Sequence, residues 1–141
     1  MKKKQILLVE DNEGDIVLTS EAFEESSCKV NIQVARNGKE AINILFDLNE
    51  DTQLPDLILL DINLPLLNGH EVLKKIKENE KTKHIPVIIL TTSSAISDIN
   101  LTYENYANCF ITKPADINDF FETINVLCNY WFKISKLPSK K

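Results

Sequence analysis

Five short apolar runs, separated by longer stretches with helical spacing, leave this chain few folds to adopt. QILLV (5–9), VNIQVA (30–35), DLILL (56–60), VIILT (87–91) and CFIT (109–112) are each of strand length and rich in β-branched or large apolar residues. Between them, Ala41, Ile42, Leu45 and Phe46, and later Val72, Leu73 and Ile76, recur at the spacing of a helix face. Asn37 followed by Glu40 reads as a capping box, and Asn68-Gly69 and Ser93-Ser94 punctuate the chain before two further helices. Read as continuous apolar runs, the strands should be covered on both faces, which requires a parallel sheet with helices on either side. The expectation is an α/β fold, a doubly wound five-stranded parallel sheet built from five βα units.

With 141 residues, 43% of them hydrophobic and 26% charged, the chain matches one domain with a single core, spanning 1–141. The polar stretch DLNEDTQLP (47–55) lacks periodicity and is expected to be a surface loop. Net charge is −5 and the lysine runs sit only at the ends (Lys2 to Lys4; Lys136, Lys140 and Lys141), so no clustered basic face for nucleic acid is expected. Cys28, Cys109 and Cys128 are odd in number and widely spaced, which suggests neither a disulfide framework nor a zinc site. Cys109 and Cys128 are expected to be buried small hydrophobes without a redox role. The apolar stretch after the first lysines is too short for a signal peptide or a membrane span. A cytoplasmic protein that neither enters nor binds a membrane is expected.

In a parallel sheet all strands end on one edge, and ligands bind there. The first strand ends in Glu10-Asp11, the third in Asp61, the fourth in Thr91 and the fifth in Lys113. Crowded carboxylates repel unless a cation neutralises them, and a hard divalent ion with oxygen ligands, Mg²⁺, meets that need. Such an ion keeps positions open for phosphate oxygens, Lys113 would neutralise those oxygens, and Asp61, central on the sheet, is placed to act as a nucleophile toward phosphorus. Thr91 offers a hydroxyl to a phosphoryl oxygen.

LLVEDN, LLDINLPLLNG, PVIILTTS and FITKP resemble, in order and spacing, the signature stretches of two-component response-regulator receiver domains, and the resemblance covers nearly the whole chain. It implies the flavodoxin-like strand order 2-1-3-4-5, with Asp61 as phosphoacceptor from a histidine kinase. It implies Asp11 as a direct Mg²⁺ ligand, Glu10 as an acidic partner often acting through water, and the Asn63 carbonyl as a third protein ligand. Thr91 and Lys113 become the phosphoryl-contacting pair. Phe110 takes the place of the switch aromatic, limited to packing because it lacks a hydroxyl, and Lys113-Pro114 is expected to be cis. Output is expected through the face of the fourth helix, fifth strand and last helix, because only one helix and a tail follow residue 116. The loop at 47–55, LTTSSAISDI and NYWFKISKLP are similar to stand-alone regulators paired with phytochromes, which implies a phytochrome-type kinase as partner.

Along the last helix, Ile117, Phe120, Phe121, Ile124, Leu127, Cys128 and Trp131 form a stripe expected to face the core. Val126, Tyr130 and Ile134 form a second stripe, with 130–141 an extension of that helix and tail. Either the extension, through Tyr130 and Trp131, mediates a homodimer, or it folds back over its own domain. His70 and His84 are expected to be surface histidines without paired ligands.

Three rivals stand beside the receiver reading. A haloacid-dehalogenase-type hydrolase needs a second acid two residues after its nucleophile, where this chain has Asn63. A flavodoxin-like nucleotide binder is disfavoured by the acidic first loop Glu10-Asp11-Asn12-Glu13. A constitutive interaction module with the receiver fold, its phosphorylation vestigial, is the third.

Overall fold

The computed structural model describes residues 3–46 and 53–138. Most of the 47–55 loop, at 47–52, lies outside the described residues, as do Lys2, Lys140 and Lys141.

Strands and helices alternate throughout: β1 (Lys4–Val9), α1 (Glu13–Glu25), β2 (Val30–Ala35), α2 (Gly38–Phe46), β3 (Leu57–Leu60), α3 (Gly69–Glu78), β4 (Val87–Thr91), α4 (Ile96–Glu104), β5 (Cys109–Thr112) and α5 (Ile117–Cys128). The strands form one sheet in the order β2-β1-β3-β4-β5, with every neighbouring pair parallel. The expected fold class and strand order are both found.

Side chains sort onto the two faces of the sheet by strand alternation. On one face Leu7, Val9, Ile58, Leu60 and Ile89 pack with Ala41 and Leu45 of α2 and Val72, Leu73 and Ile76 of α3. On the other, Ile6, Leu8, Leu57, Leu59, Ile88 and Leu90 meet Ile16, Ala22 and Phe23 of α1 and Phe120, Ile124 and Leu127 of α5. The central strands β3 and β4 are buried throughout, as continuous apolar runs require. The outer strands depart from that expectation. In β2, Asn31 and Gln33 alternate outward between half-buried Val30, Ile32 and Val34, and β5 is only half-buried. An edge strand is covered less completely than a central one.

Side-chain oxygens set the helix starts. Asn12 accepts from the Asp15 N–H, Asn68 from the Glu71 N–H and Asp116 from the Asp119 N–H, each satisfying a first-turn donor. Asn37 likewise accepts from the Glu40 N–H at 2.7 Å. Among its nine residues α4 buries only Thr102, so the helix is lightly seated.

The last helix holds two corrections. Ile117 is 60% exposed and not part of the core stripe, because it sits at the first turn, beyond the sheet. Cys28 and Cys128 are joined in a disulfide across a sequence separation of 100 residues, where no disulfide was expected. Spacing gives no sign of it, because only the packing of α1 against α5 brings the two together. Cys109 is the free cysteine and is partly exposed rather than buried. From Asn129 to Ile134 the helix continues with π geometry. Val126, Tyr130 and Ile134 are exposed, while Trp131 packs partly buried against the α1/α5 side.

Candidate functional site

The edge at which the strands end gathers the acidic residues. Each of Glu10, Asp11 and Asp61 offers a carboxylate oxygen to a group whose atoms lie within 4.8 Å of one another. Glu10 and Asp61 are buried, at 2% and 8% exposure, whereas Asp11 is open to solvent. Backbone hydrogen bonds fix this arrangement: the Glu10 N–H donates to the Ala35 carbonyl at 2.9 Å and the Asp61 N–H to the Val9 carbonyl at 3.0 Å. Side-chain oxygens are held from the following residues, Glu10 Oε2 by the Asn12 N–H and Asp61 Oδ1 by the Asn63 N–H, both at 3.2 Å.

Lys113 follows β5 directly, and its ammonium is the buried counter-charge of the cluster. It donates to Glu10 Oε1 in a short ion pair, to Asp15 Oδ2 at 2.9 Å and to Asp61 Oδ2 at 3.4 Å. Burial works against its charge, but the bonds to Glu10 and Asp15 hold its pKa above the ordinary lysine value. One ammonium does not neutralise four carboxylates. Burial, with Asp61 adding to it, pushes the Glu10 pKa up to about 7 in spite of Lys113. An all-oxygen donor set, two of its three carboxylates buried and with excess negative charge, is the chemistry of a hard divalent cation site.

Asp15 is a member of the site that the sequence analysis missed. It stands in the first turn of α1, only a few residues after Glu10-Asp11, so the start of the helix brings it back beside the site, and a further carboxylate so close behind that pair was the available signal. Gly69 is a second. A Cβ there would collide with the backbone of Asp61 and Ile62, so α3 can begin against the site only with glycine.

Thr91 ends β4 fully buried, next to Lys113 through the 2.7 Å bond from the Lys113 N–H to the Thr91 carbonyl. Its side-chain oxygen faces the Ser93 N–H at 3.5 Å. Ser93 in turn donates to Asp98 Oδ2 at 2.7 Å, and His70 Nε2 meets Asp98 Oδ1 at 2.9 Å. The Ser93 hydroxyl and His70 lower the Asp98 pKa below the usual carboxylate value. His70 is therefore a half-buried, partnered residue rather than a surface histidine, because Asp98 of α4 meets it at the start of α3; His84 is exposed. Phe110 is half-buried, and its N–H donates to the Tyr103 hydroxyl at 3.2 Å, so a phenol from α4 lies beside the expected switch position. The Lys113–Pro114 bond is trans, contrary to the expected cis form; no cis peptide occurs among the described residues.

The site at the strand ends of a 2-1-3-4-5 sheet defines the class of protein. The family model for the response regulator receiver domain matches residues 6–125, and the chain belongs to that family. Response regulator Rcp1 of Synechocystis sp. is 38% identical over 138 residues, which cover 96% of this chain and 94% of that protein. Among solved structures, the phosphorylated cyanobacterial phytochrome response regulator RcpA is similar with a TM-score of 0.92 at 40% identity, covering 98% of this chain and 100% of that one. The Mn²⁺-bound form of Rcp1 is similar with a TM-score of 0.90 at 38% identity, covering 96% and 99%. A divalent cation bound to a relative of the same fold agrees with the oxygen donors gathered here.

Proposed function

We propose that this signalling protein is a receiver that accepts a phosphoryl group on Asp61 from the phosphohistidine of a sensor kinase. The observation that carries this reading is the convergence of Glu10, Asp11 and Asp61 within 4.8 Å, with the Lys113 ammonium 3.4 Å from Asp61. Glu10, Asp11, Asp61 and the Asn63 carbonyl would hold Mg²⁺, which when bound supplies positive charge to the oxygens of the transferring group.

The protein's own groups divide the work. An Asp61 carboxylate oxygen attacks phosphorus in line; the P–N bond breaks, and its electron pair returns to the kinase imidazole. Lys113, already charged and buried beside Asp61, neutralises a phosphoryl oxygen. Its bonds to Glu10 and Asp15 set it in place beforehand, so little reorganisation is needed. Thr91 turns its hydroxyl toward the new phosphoryl group. Its link through Ser93 to Asp98 transmits that movement to the lightly seated α4 and, with Phe110, to the face of α4, β5 and α5. Water later hydrolyses the acyl phosphate.

Similarity to RcpA, whose structure is described as a cyanobacterial phytochrome response regulator, supports a phytochrome-type kinase as partner. The exposed residues Val126, Tyr130 and Ile134, beside Trp131, support a homodimer through the end of α5 and its extension, residues 130–141. A cytoplasmic location fits a kinase-coupled receiver, and no helix among the described residues is long and apolar enough to cross a membrane.

The test is intact mass after incubation with a small acyl-phosphate donor, with Mg²⁺ or with a chelator. One phosphoryl adduct that requires Mg²⁺ and disappears in Asp61→Asn is expected. No adduct on the folded protein in any condition would replace this reading with a constitutive interaction module.

A further inference from the structure

The far end of α5 is held by a short connection that has no part in the acidic site. Cys128, its last residue, is fully buried and bonded to Cys28, which is partly exposed between α1 and β2. Their Cα atoms are 6.2 Å apart, within the usual span of a disulfide. The same connection reaches the π-helical segment twice more. Ser27 Oγ donates to Asn129 Oδ1 at 3.3 Å, and Lys133 Nζ donates to Ser27 Oγ at 2.6 Å. The covalent link falls one residue before α geometry gives way to π geometry at Asn129.

Two features separate this bond from a permanent staple. Phe120, Ile124 and Leu127 already seat α5 on Ile16, Ala22 and Phe23 of α1, so the fold has its apolar contacts without the sulfur link. Cys28 also borders an open cavity of about 430 Å³ whose lining includes Lys3, Lys29 and Glu24. Cys28 is thus the half of the pair that borders open space, whereas Cys128 is fully buried, and two lysines to one glutamate favour an anionic reagent.

We propose that Cys28 and Cys128 form a reversible thiol–disulfide switch, oxidised by a small anionic disulfide, that ties the segment bearing Tyr130 and Trp131 to the α1–β2 connection. In the forward direction the Cys28 thiolate attacks the reagent, whose S–S bond breaks and releases one half as a thiol. Cys128, having given up its proton, then displaces the second half from Cys28. Two protein thiols become one disulfide and one reagent disulfide becomes two thiols, so electrons and protons balance. Reduction reverses these steps, beginning at Cys28, the less buried of the two residues. The switch lies at the opposite edge of the sheet from Asp61 and does not depend on the phosphoacceptor reading.

The experiment incubates the intact chain with oxidised glutathione or with a phosphine reductant, then denatures it, alkylates free thiols and counts labels by mass. With three cysteines in the chain, one label after oxidation and three after reduction are expected. Reduction should lower Tm by about 10 °C and change the emission of Trp131, the sole tryptophan. Cys28→Ser should show one Tm, that of the reduced protein, in both conditions. Cys109→Ser should leave no free thiol after oxidation, and acyl-phosphate loading should be the same in both redox states. Three labels after oxidation, or a bond mapped to Cys109 or to a second chain, would overturn the pairing. Pairing without any change in Tm or Trp131 emission would overturn the tether, and a bond that the reductant cannot open in the folded protein would overturn its reversibility.

Discussion

The two edges of the sheet are built in opposite ways. Where the strands end, buried charge is concentrated: Glu10 and Asp61 are almost inaccessible, and a single lysine crosses between three carboxylates. At the other edge, around the end of α5, the chain is held by apolar packing, a sulfur link and a few hydroxyl contacts. The first edge gives up stability to keep reactive groups together, since charges under-neutralised in a buried site cost free energy. The second gains stability from contacts indifferent to charge. Function and stability should therefore respond to different residues.

Asp61→Asn gives the largest effect expected. Loading from an acyl-phosphate donor should fall to background while Tm stays level or rises, because one carboxylate of a crowded set has been removed. A variant that loses its fold as well would show that the acidic edge also carries stability, and the contrast would fail. Leu127→Ala, at the other edge, should cost about 2–5 kcal/mol in denaturant unfolding, with loading unimpaired where the protein remains folded. Leu127 is 4% exposed and lies in the last turn of α5, in the core between that helix and the sheet.

The metal and pH sharpen the comparison. In the fold the Glu10 pKa of about 7 lies above its ordinary 4.5, so the folded protein binds a proton that the unfolded chain has released. Stability of the metal-free protein should then decline as pH rises between those values. Lys113, with a raised pKa, contributes stability that is lost only above the ordinary lysine range. A divalent cation requires ionised Glu10, so Mg²⁺ should raise Tm more at pH 8 than at pH 5, as thermal scans with and without chelator would report. Equal shifts at both pH values would remove Glu10 from the metal site.

The smallest effect concerns the link between α3 and α4. The Asp98 pKa is depressed, so its stabilisation is present above the unfolded carboxylate pKa and is lost as pH falls through the folded value. Asp98→Asn should cost at most about 1 kcal/mol at neutral pH, yet amide hydrogen exchange in α4 should accelerate. Unchanged exchange there would mean that the Ser93–Asp98–His70 chain does not hold α4.

Much of the acidic edge could be read before the structure. Strand ends in a parallel sheet share an edge, so runs ending in Glu10-Asp11, Asp61, Thr91 and Lys113 place those residues together once the runs are recognised. Asp15 escaped because its carboxylate arrives from inside a helix rather than from a strand end. The disulfide escaped for a different reason, since nothing local relates Cys28 to Cys128 across 100 residues. The contrast between edge and central strands was partly written in V-N-I-Q-V-A, whose alternation marks an exposed face, although the run was read as continuous.

The amino-acid sequence by itself determined the βα alternation, the parallel sheet and the convergence of the acidic residues, whereas the strand order was implied by the resemblance to receiver domains. The first three follow from periodicity and from the rule that parallel strands end together, both local or topological properties. Only the tertiary structure decided that Lys113 bridges Glu10, Asp15 and Asp61, that His70 pairs with Asp98, and that Cys28 meets Cys128. Those contacts join side chains on different elements, and they depend on how each helix is seated against the sheet. That seating is a collective result of packing that no single stretch of the chain encodes.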